Sequence, residues 1–189
     1  MKPELVLASA SPRRLALLEQ IGITPARVAP ADIDESVRSK ELPRPHALRI
    51  ATEKARVVAA TTKGVILAAD TVVACGRRIL PKAEDDATVT NCLKLLSGRR
   101  HTVMTAIAIL DGSRKLRTRI VETKVVFRRL DAQEIVDYVR SAEGLGKAGG
   151  YAIQGRAAVF VRAISGSYSN VVGLPLAETF QLLKACGAV

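Results

Sequence analysis

Ser9-Ala-Ser11-Pro12-Arg13-Arg14 places two hydroxyls and two guanidinium groups at the point where a short apolar run gives way to helical spacing. Ser11 reads as an N-cap and Pro12 as the first helical residue. Arginines in a first turn oppose the positive end of the helix dipole, at a cost of about 0.3–1 kcal/mol each when exposed. An anion there would meet free backbone N–H groups, the Ser9 and Ser11 hydroxyls and both guanidinium forks, which together make a phosphate pocket. An ordinary capped helix with solvated arginines has the same sequence.

Asp70 ends the apolar run Gly64-Val-Ile-Leu-Ala-Ala69. Such a run marks a strand buried on both faces, and Asp70 is expected to emerge at its C-terminal end, where open α/β sheets place ligands. A carboxylate there serves either as a general base or as a cap on nearby backbone N–H groups. Asp32, Asp34 and Glu35 form an acidic loop that is either solvated or a source of hard oxygen ligands, and Lys54, Lys82 and Gln154 stand singly. Phosphate donors, carboxylates for a divalent cation, lysines and an amide are the parts that cleavage of a phosphoanhydride requires. Other chemistries lack their parts. Gly144-Leu-Gly146-Lys-Ala-Gly149 fits a dinucleotide fingerprint but follows a helix instead of a strand, and there is neither a P-loop nor a nucleophile elbow.

The elements that must position these residues alternate. The pattern predicts a strand at Glu4–Ser9, a helix from Ser11 to Gly22, a strand within Thr24–Pro30 and a helix over Pro45–Ala60 with Leu48, Ala51, Ala55 and Val58 on one face. After the Asp70 strand, which continues to Gly76, come a helix over Asp85–Leu96 and two β-rich runs, His101–Leu110 and Leu116–Phe127, about the hairpin signal Asp111-Gly112. A helix from Asp131 to Arg140, a glycine-rich passage to Gly155, a strand at Ala157–Ile164 and a helix over Pro175–Ala185 complete the chain. That order predicts one α/β domain over residues 1–189, a mixed twisted sheet with flanking helices.

The 189 residues are 48% hydrophobic and 25% charged, ordinary usage for a globular protein, and no apolar run approaches the roughly 18 residues of a membrane span. The net charge of +11 points to an anionic partner. Aromatic residues are only 3%, with no Trp, which makes nucleic acid a poor candidate. Three scattered cysteines and no leader segment suit a reducing, cytoplasmic setting, and two histidines are too few for a histidine-rich zinc site. Any metal is expected to be a hard cation held by carboxylates.

Ser9-Ala-Ser-Pro-Arg13-Arg14, Asp34-Glu35, Glu53-Lys54-Ala55, Ala69-Asp70-Thr71-Val-Val, Leu96-Ser-Gly98 with His101, Lys147-Ala-Gly149, Tyr151-Ala-Ile-Gln154-Gly155 and Gly166-Ser-Tyr-Ser-Asn-Val-Val-Gly-Leu-Pro-Leu176 occur in order along nearly the whole chain. This collinear set resembles the Maf nucleotide pyrophosphatases. The resemblance implies an inosine-triphosphate-pyrophosphatase-like fold with two lobes around a cleft, and divalent-cation-dependent hydrolysis of a nucleoside triphosphate to the monophosphate and pyrophosphate; the mechanism expected from these residues has Mg²⁺ or Mn²⁺ held by Glu35, Asp70 and phosphate oxygens. By the same resemblance Asp70 is the proton acceptor, and Arg13, Thr71 and Gln154 tune the choice of base; from the residues themselves, Ser9, Ser11, Arg13 and Arg14 are expected to form the phosphate pocket, with Lys54 and Lys82 helping the arginines absorb the developing charge. The wording around Gln154 and Tyr168 is similar to the dTTP and UTP group, whereas the 7-methyl-GTP group carries Glu at the Gln154 position. An amide matches the donor and acceptor edge of uracil or thymine. The chain departs from the family pattern at Pro81 and Ala83 around Lys82, at Gly146 and at Ala106. The family and the apolar hairpin point to a homodimer, and the family's association with arrest of cell division together with the +11 charge sets the alternative expectation of a nucleic-acid-binding or regulatory protein without nucleotide turnover.

Overall fold

The computed structural model describes residues 3–189. Strand β1 (Leu5–Ala8) leads through Ser9–Ser11 into helix α1 (Pro12–Gln20), and a short β2 (Arg27–Val28) pairs parallel to β1. The segment 29–42 then crosses to α2 (Pro43–Thr61), which returns to the long strand β3 (Val65–Cys75). A tight turn gives β4 (Arg78–Leu80), followed by α3 (Asp86–Leu96), β5 (Arg100–Leu110), β6 (Leu116–Phe127) and α4 (Ala132–Arg140). The chain closes with a 3₁₀ turn (Arg156–Phe160), β7 (Val161–Ser165), α5 (Tyr168–Val172) and α6 (Leu176–Ala185).

All seven strands form one mixed sheet in the order β2-β1-β3-β5-β6-β7, with β4 also paired to β3. The hairpin of β5 and β6 keeps its register from Arg100↔Val126 to Leu110↔Leu116. At its turn the Asp111 carboxylate accepts from the N–H groups of Ser113 and Lys115, both at 3.0 Å. Helix α4 begins with a full capping box between Asp131 and Glu134.

Strand alternation sorts the core into two layers. Odd residues of β3 (Val65, Leu67, Ala69, Val73) pack with Leu17 and Leu18 of α1, Leu93 and Leu96 of α3, Ile135 of α4 and Leu183 of α6. Even residues (Ile66, Ala68, Val72) pack against α2 alone, where Ala51, Ala55 and Ala59 meet Ala106 and Ala108 of β5. Small side chains on both surfaces bring α2 close to the sheet. Residue 70 therefore faces α2, and residue 71 faces α1 and α5.

Several expectations change. Asp70 lies in the middle of the eleven-residue β3, not at its end, because the apolar run and Thr71-Val-Val-Ala-Cys75 form one strand. Ala157–Ile164 is not a single strand: residues 156–160 coil as a 3₁₀ turn that buries Ala157 and Phe160, and only Val161–Ser165 pairs with β6. The short α5, capped by Ser167, is an addition to the sequence-based reading. The expected second strand shrinks to Arg27–Val28.

Candidate active site

Strand β5 covers one edge of β3 from Ile66 to Ala74. On the other edge β1 covers Val65–Ala68 and β4 covers Val73–Cys75, so the backbone between them, Ala69–Val72, is left open. A cavity of about 970 Å³ opens on this gap. Asp70 thus reaches the end of a strand after all, but of its parallel neighbour β1 and not of its own. Where β1 stops, Ser9–Arg14 turn into α1 and line the same opening.

On the α2 side, Lys54 Nζ lies 2.9 Å from Asp70 Oδ1 and 2.9 Å from Glu35 Oε1. Lys54 and Asp70 are buried, whereas Glu35 is half-exposed on the loop before α2. The second oxygen of Asp70 takes no hydrogen bond from any described residue, which leaves it an available acceptor on the cavity wall. Glu35 is carried by a strapped loop: Arg49 donates to Glu41 Oε1 at 2.7 Å and to the Ser36 carbonyl at 2.9 Å. The hydrogen bond from Arg49 holds the Glu41 carboxyl well below the usual range, helped by the Arg38 N–H and His46.

The opposite side is cationic. Arg13, Lys82 and Lys147 all line the cavity, and none forms an ion pair with a described acid. Burial, followed by the like charges of Arg13 and Lys82, pushes the Lys147 ammonium below the usual lysine range. Burial likewise lowers Arg13. The glycine-rich passage creates this crowding by docking on the strand leaving β4: Ala83 N–H donates to Lys147 O at 3.0 Å and Gly149 N–H to Pro81 O at 3.0 Å. Gly149 has φ +69°, and a Cβ there would come within 2.8 Å of Val73, so the approach requires glycine.

Arg14 behaves differently from its neighbour. It is buried, and its guanidinium donates to Gly173 O at 2.8 Å, Ser9 Oγ at 3.0 Å and Thr71 Oγ1 at 3.1 Å. The fork expected to be offered to phosphate, or else to solvent, instead ties α1 to β3 and to the end of α5. Ser11 holds the N-cap position without a side-chain cap, and its N–H donates to Ser9 Oγ at 3.2 Å. Thr71 Oγ1 also meets Thr105 Oγ1 at 3.0 Å.

Ser9, Ser11, Arg13, Arg14, Glu35, Lys54, Asp70, Thr71 and Lys82 are therefore brought to one cavity. Gln154 is not. It is exposed, on a turn three residues past the cavity-lining Tyr151. Asp32 and Asp34 are exposed and outside the lining, with Asp34 occupied by the N–H and hydroxyl of Ser36 at 2.9 Å each. Lys147 and His46 were missed as site residues. The close-spaced glycines around Lys147 were the available signal, since they mark a tight backbone approach.

Hard oxygen ligands are at hand for a divalent cation. Two carboxylates, Asp70 and Glu35, converge on one point, at present occupied by the Lys54 ammonium. No cluster of three or more His, Cys, Asp or Glu exists among the described residues. That donor set suits Mg²⁺ or Mn²⁺ bound through one or two carboxylates with phosphate oxygens completing the shell.

The fold is similar to that of a solved HAM1 protein from Coxiella burnetii, 19% identical, with a TM-score of 0.51 over 96% of this chain and 98% of that one. The expected inosine-triphosphate-pyrophosphatase-like fold is thereby met. Among curated relatives, the dTTP/UTP pyrophosphatase of Caulobacter vibrioides is 60% identical over 98% of this chain and 96% of its own length. Those of Novosphingobium aromaticivorans and Paramagnetospirillum magneticum are 57% identical over 98% of this chain and 92% of theirs, and 59% over 97% of both. The family model described as Maf-like protein matches residues 4–186, and on that match the chain belongs to the Maf family.

Proposed function

We propose that the protein hydrolyses a nucleoside triphosphate, dTTP and UTP in particular, to the monophosphate and pyrophosphate. One observation carries the reading: a carboxylate with a free oxygen, Asp70, faces a cavity whose other wall holds three cations without acidic partners. An anionic ligand would relieve the mutual repulsion of Arg13, Lys82 and Lys147, so the triphosphate binds there. Lys54 fixes Asp70 Oδ1 and leaves the other oxygen to accept a proton from water as it attacks the α-phosphorus. Pyrophosphate departs as the anhydride bond breaks, and the cations take up its developing charge. Glu35 and Asp70 would hold the divalent cation, which neutralises and orients the phosphates. Arg14 positions Ser9 and Thr71, whose hydroxyls line the same wall.

The pyrimidine preference is supported by the names of relatives at 57–60% identity. Thr71 and Arg13, the latter shared with the triphosphate, belong to this proposal as groups that select the base, and Gln154 joins them by reaching in from the exposed turn three residues past Tyr151 at the cavity wall. No helix among the described residues is long and apolar enough to cross a membrane. Cytoplasmic location, pairing of two copies and a link to cell division are carried within the proposal from the family alone. Pyrophosphate release from a panel of canonical and modified nucleotides, with Mg²⁺, Mn²⁺ and EDTA, tests it. Metal-dependent turnover with dTTP and UTP foremost is the expected result. Absence of turnover on every nucleotide would overturn the proposal.

A further inference from the structure

His46 lines the same cavity from α2, two helical turns before Lys54, and its side chain is only 7% exposed. Its Nδ1 lies 2.9 Å from Glu41 Oε2. Glu41 is held ionised by Arg49, and a carboxylate only accepts, so Nδ1 carries the proton and donates. Arg49 donates to the same Glu41 oxygen at 2.8 Å and stands 3.2 Å from Nδ1, so one carboxylate orders both side chains. In the neutral ring this leaves Nε2 an acceptor. No described residue bonds to Nε2, and it is absent from the enclosed unpartnered atoms, which are His101 Nδ1, Asn170 Oδ1 and Glu178 Oε2. Its lone pair is therefore open to the cavity.

An acceptor has no use for phosphate oxygens, which at neutral pH have almost no proton to give. The neutral donors of dTTP are its 3′-hydroxyl and its ring N3–H, and UTP adds a 2′-hydroxyl. Eight residues of helix separate His46 from Lys54, about 12 Å along the axis. That spacing suits the nucleoside end of a ligand whose phosphates lie beside Lys54 and Asp70. Ile33, Val37, Val72 and Ile79 add apolar lining to the same cavity. We infer that His46 contacts the nucleoside, Nε2 accepting from the 3′-hydroxyl or from N3–H, with Glu41 as the positioning residue. The inference rests on the pyrophosphatase reading above.

The test compares wild type and His46→Phe at pH 8 on dTTP, 2′,3′-dideoxy-TTP and N3-methyl-dTTP. His46→Phe is expected to lower kcat/KM for dTTP about tenfold, mainly through KM, and to leave unchanged the turnover of whichever analogue lacks the donor that His46 reads. His46→Gln, which returns an acceptor near the Nε2 position, should recover most of the loss. Equal melting temperatures verify folding, and His46→Leu repeats the comparison with a smaller apolar side chain. Values within twofold of wild type on dTTP, or the same loss on all three substrates, would overturn the inference. Absent wild-type turnover is a separate result that overturns the pyrophosphatase reading and this inference with it.

Discussion

Lys54 reaches from α2 across the sheet surface to Asp70 in the middle of β3, its Nζ 2.9 Å from Oδ1 in a buried ion pair. The same ammonium holds Glu35 at 2.9 Å, so a helix, a strand and a loop are joined at one nitrogen. Two carboxylates that would repel one another are kept together, and one Asp70 oxygen is left for chemistry.

Asp70→Asn keeps the size of the side chain and an oxygen able to accept from Lys54, but removes the proton acceptor. General-base catalysis is worth about 10²–10⁴-fold, and kcat for dTTP should fall by that factor. The thermal midpoint should move by no more than a few degrees. Pyrophosphate release measured beside a melting curve checks both, and a rate within tenfold of wild type would remove Asp70 from the base role.

Arg14→Lys retains the charge but not the planar fork that serves Gly173 O, Ser9 Oγ and Thr71 Oγ1. Bonds to a charged donor contribute about 1.5–3 kcal/mol each, and a lysine ammonium satisfies fewer of these acceptors. Unfolding stability should drop by about 2–3 kcal/mol, read as a lower urea midpoint at unchanged slope. An unchanged midpoint would show that Arg14 is dispensable as a tie between α1, β3 and α5.

His101 is buried, with Nε2 2.7 Å from the Tyr151 hydroxyl, and burial lowers its pKa from 6.5 to about 4. Between pH 6.5 and 4 the unfolded chain binds a proton that the folded chain refuses, so this contribution to stability falls as pH falls and is constant above pH 7. The full span is worth roughly 3 kcal/mol. His101→Phe should flatten that part of the stability profile, measured as urea midpoints from pH 4 to 8 against wild type. Parallel profiles would exclude His101 as the titrating group.

Gln154 is exposed, so Gln154→Glu should leave the melting temperature unchanged and isolate recognition from folding. A carboxylate cannot donate to a pyrimidine carbonyl. The expected outcome is a fall of about tenfold in kcat/KM for dTTP and UTP, equivalent to roughly 1.4 kcal/mol. Unchanged kinetics on both nucleotides would free Gln154 of any role in base selection.

The sequence by itself determined most of the elements and picked out nine residues that the fold brings to one cavity. Local signals were sufficient there: Asp111-Gly112 set the β5–β6 hairpin, Asp131 with Glu134 set the start of α4, and Pro12 set the start of α1. These are interactions between residues a few positions apart, which a linear reading can find. Tertiary structure decided what each site residue does. Arg13 and Arg14 are neighbours of the same type, yet one faces the cavity without an acidic partner and the other is consumed by Gly173, 159 residues further along the chain. Asp70 gained its strand-end position from where β1 stops, not from its own strand. Lys82 and Lys147 met only because Gly149 lets two distant segments pair. Each of these outcomes depends on contacts between parts of the chain that no local pattern connects, and the open stretch of β3 between β1 and β4 is what brings them to one place.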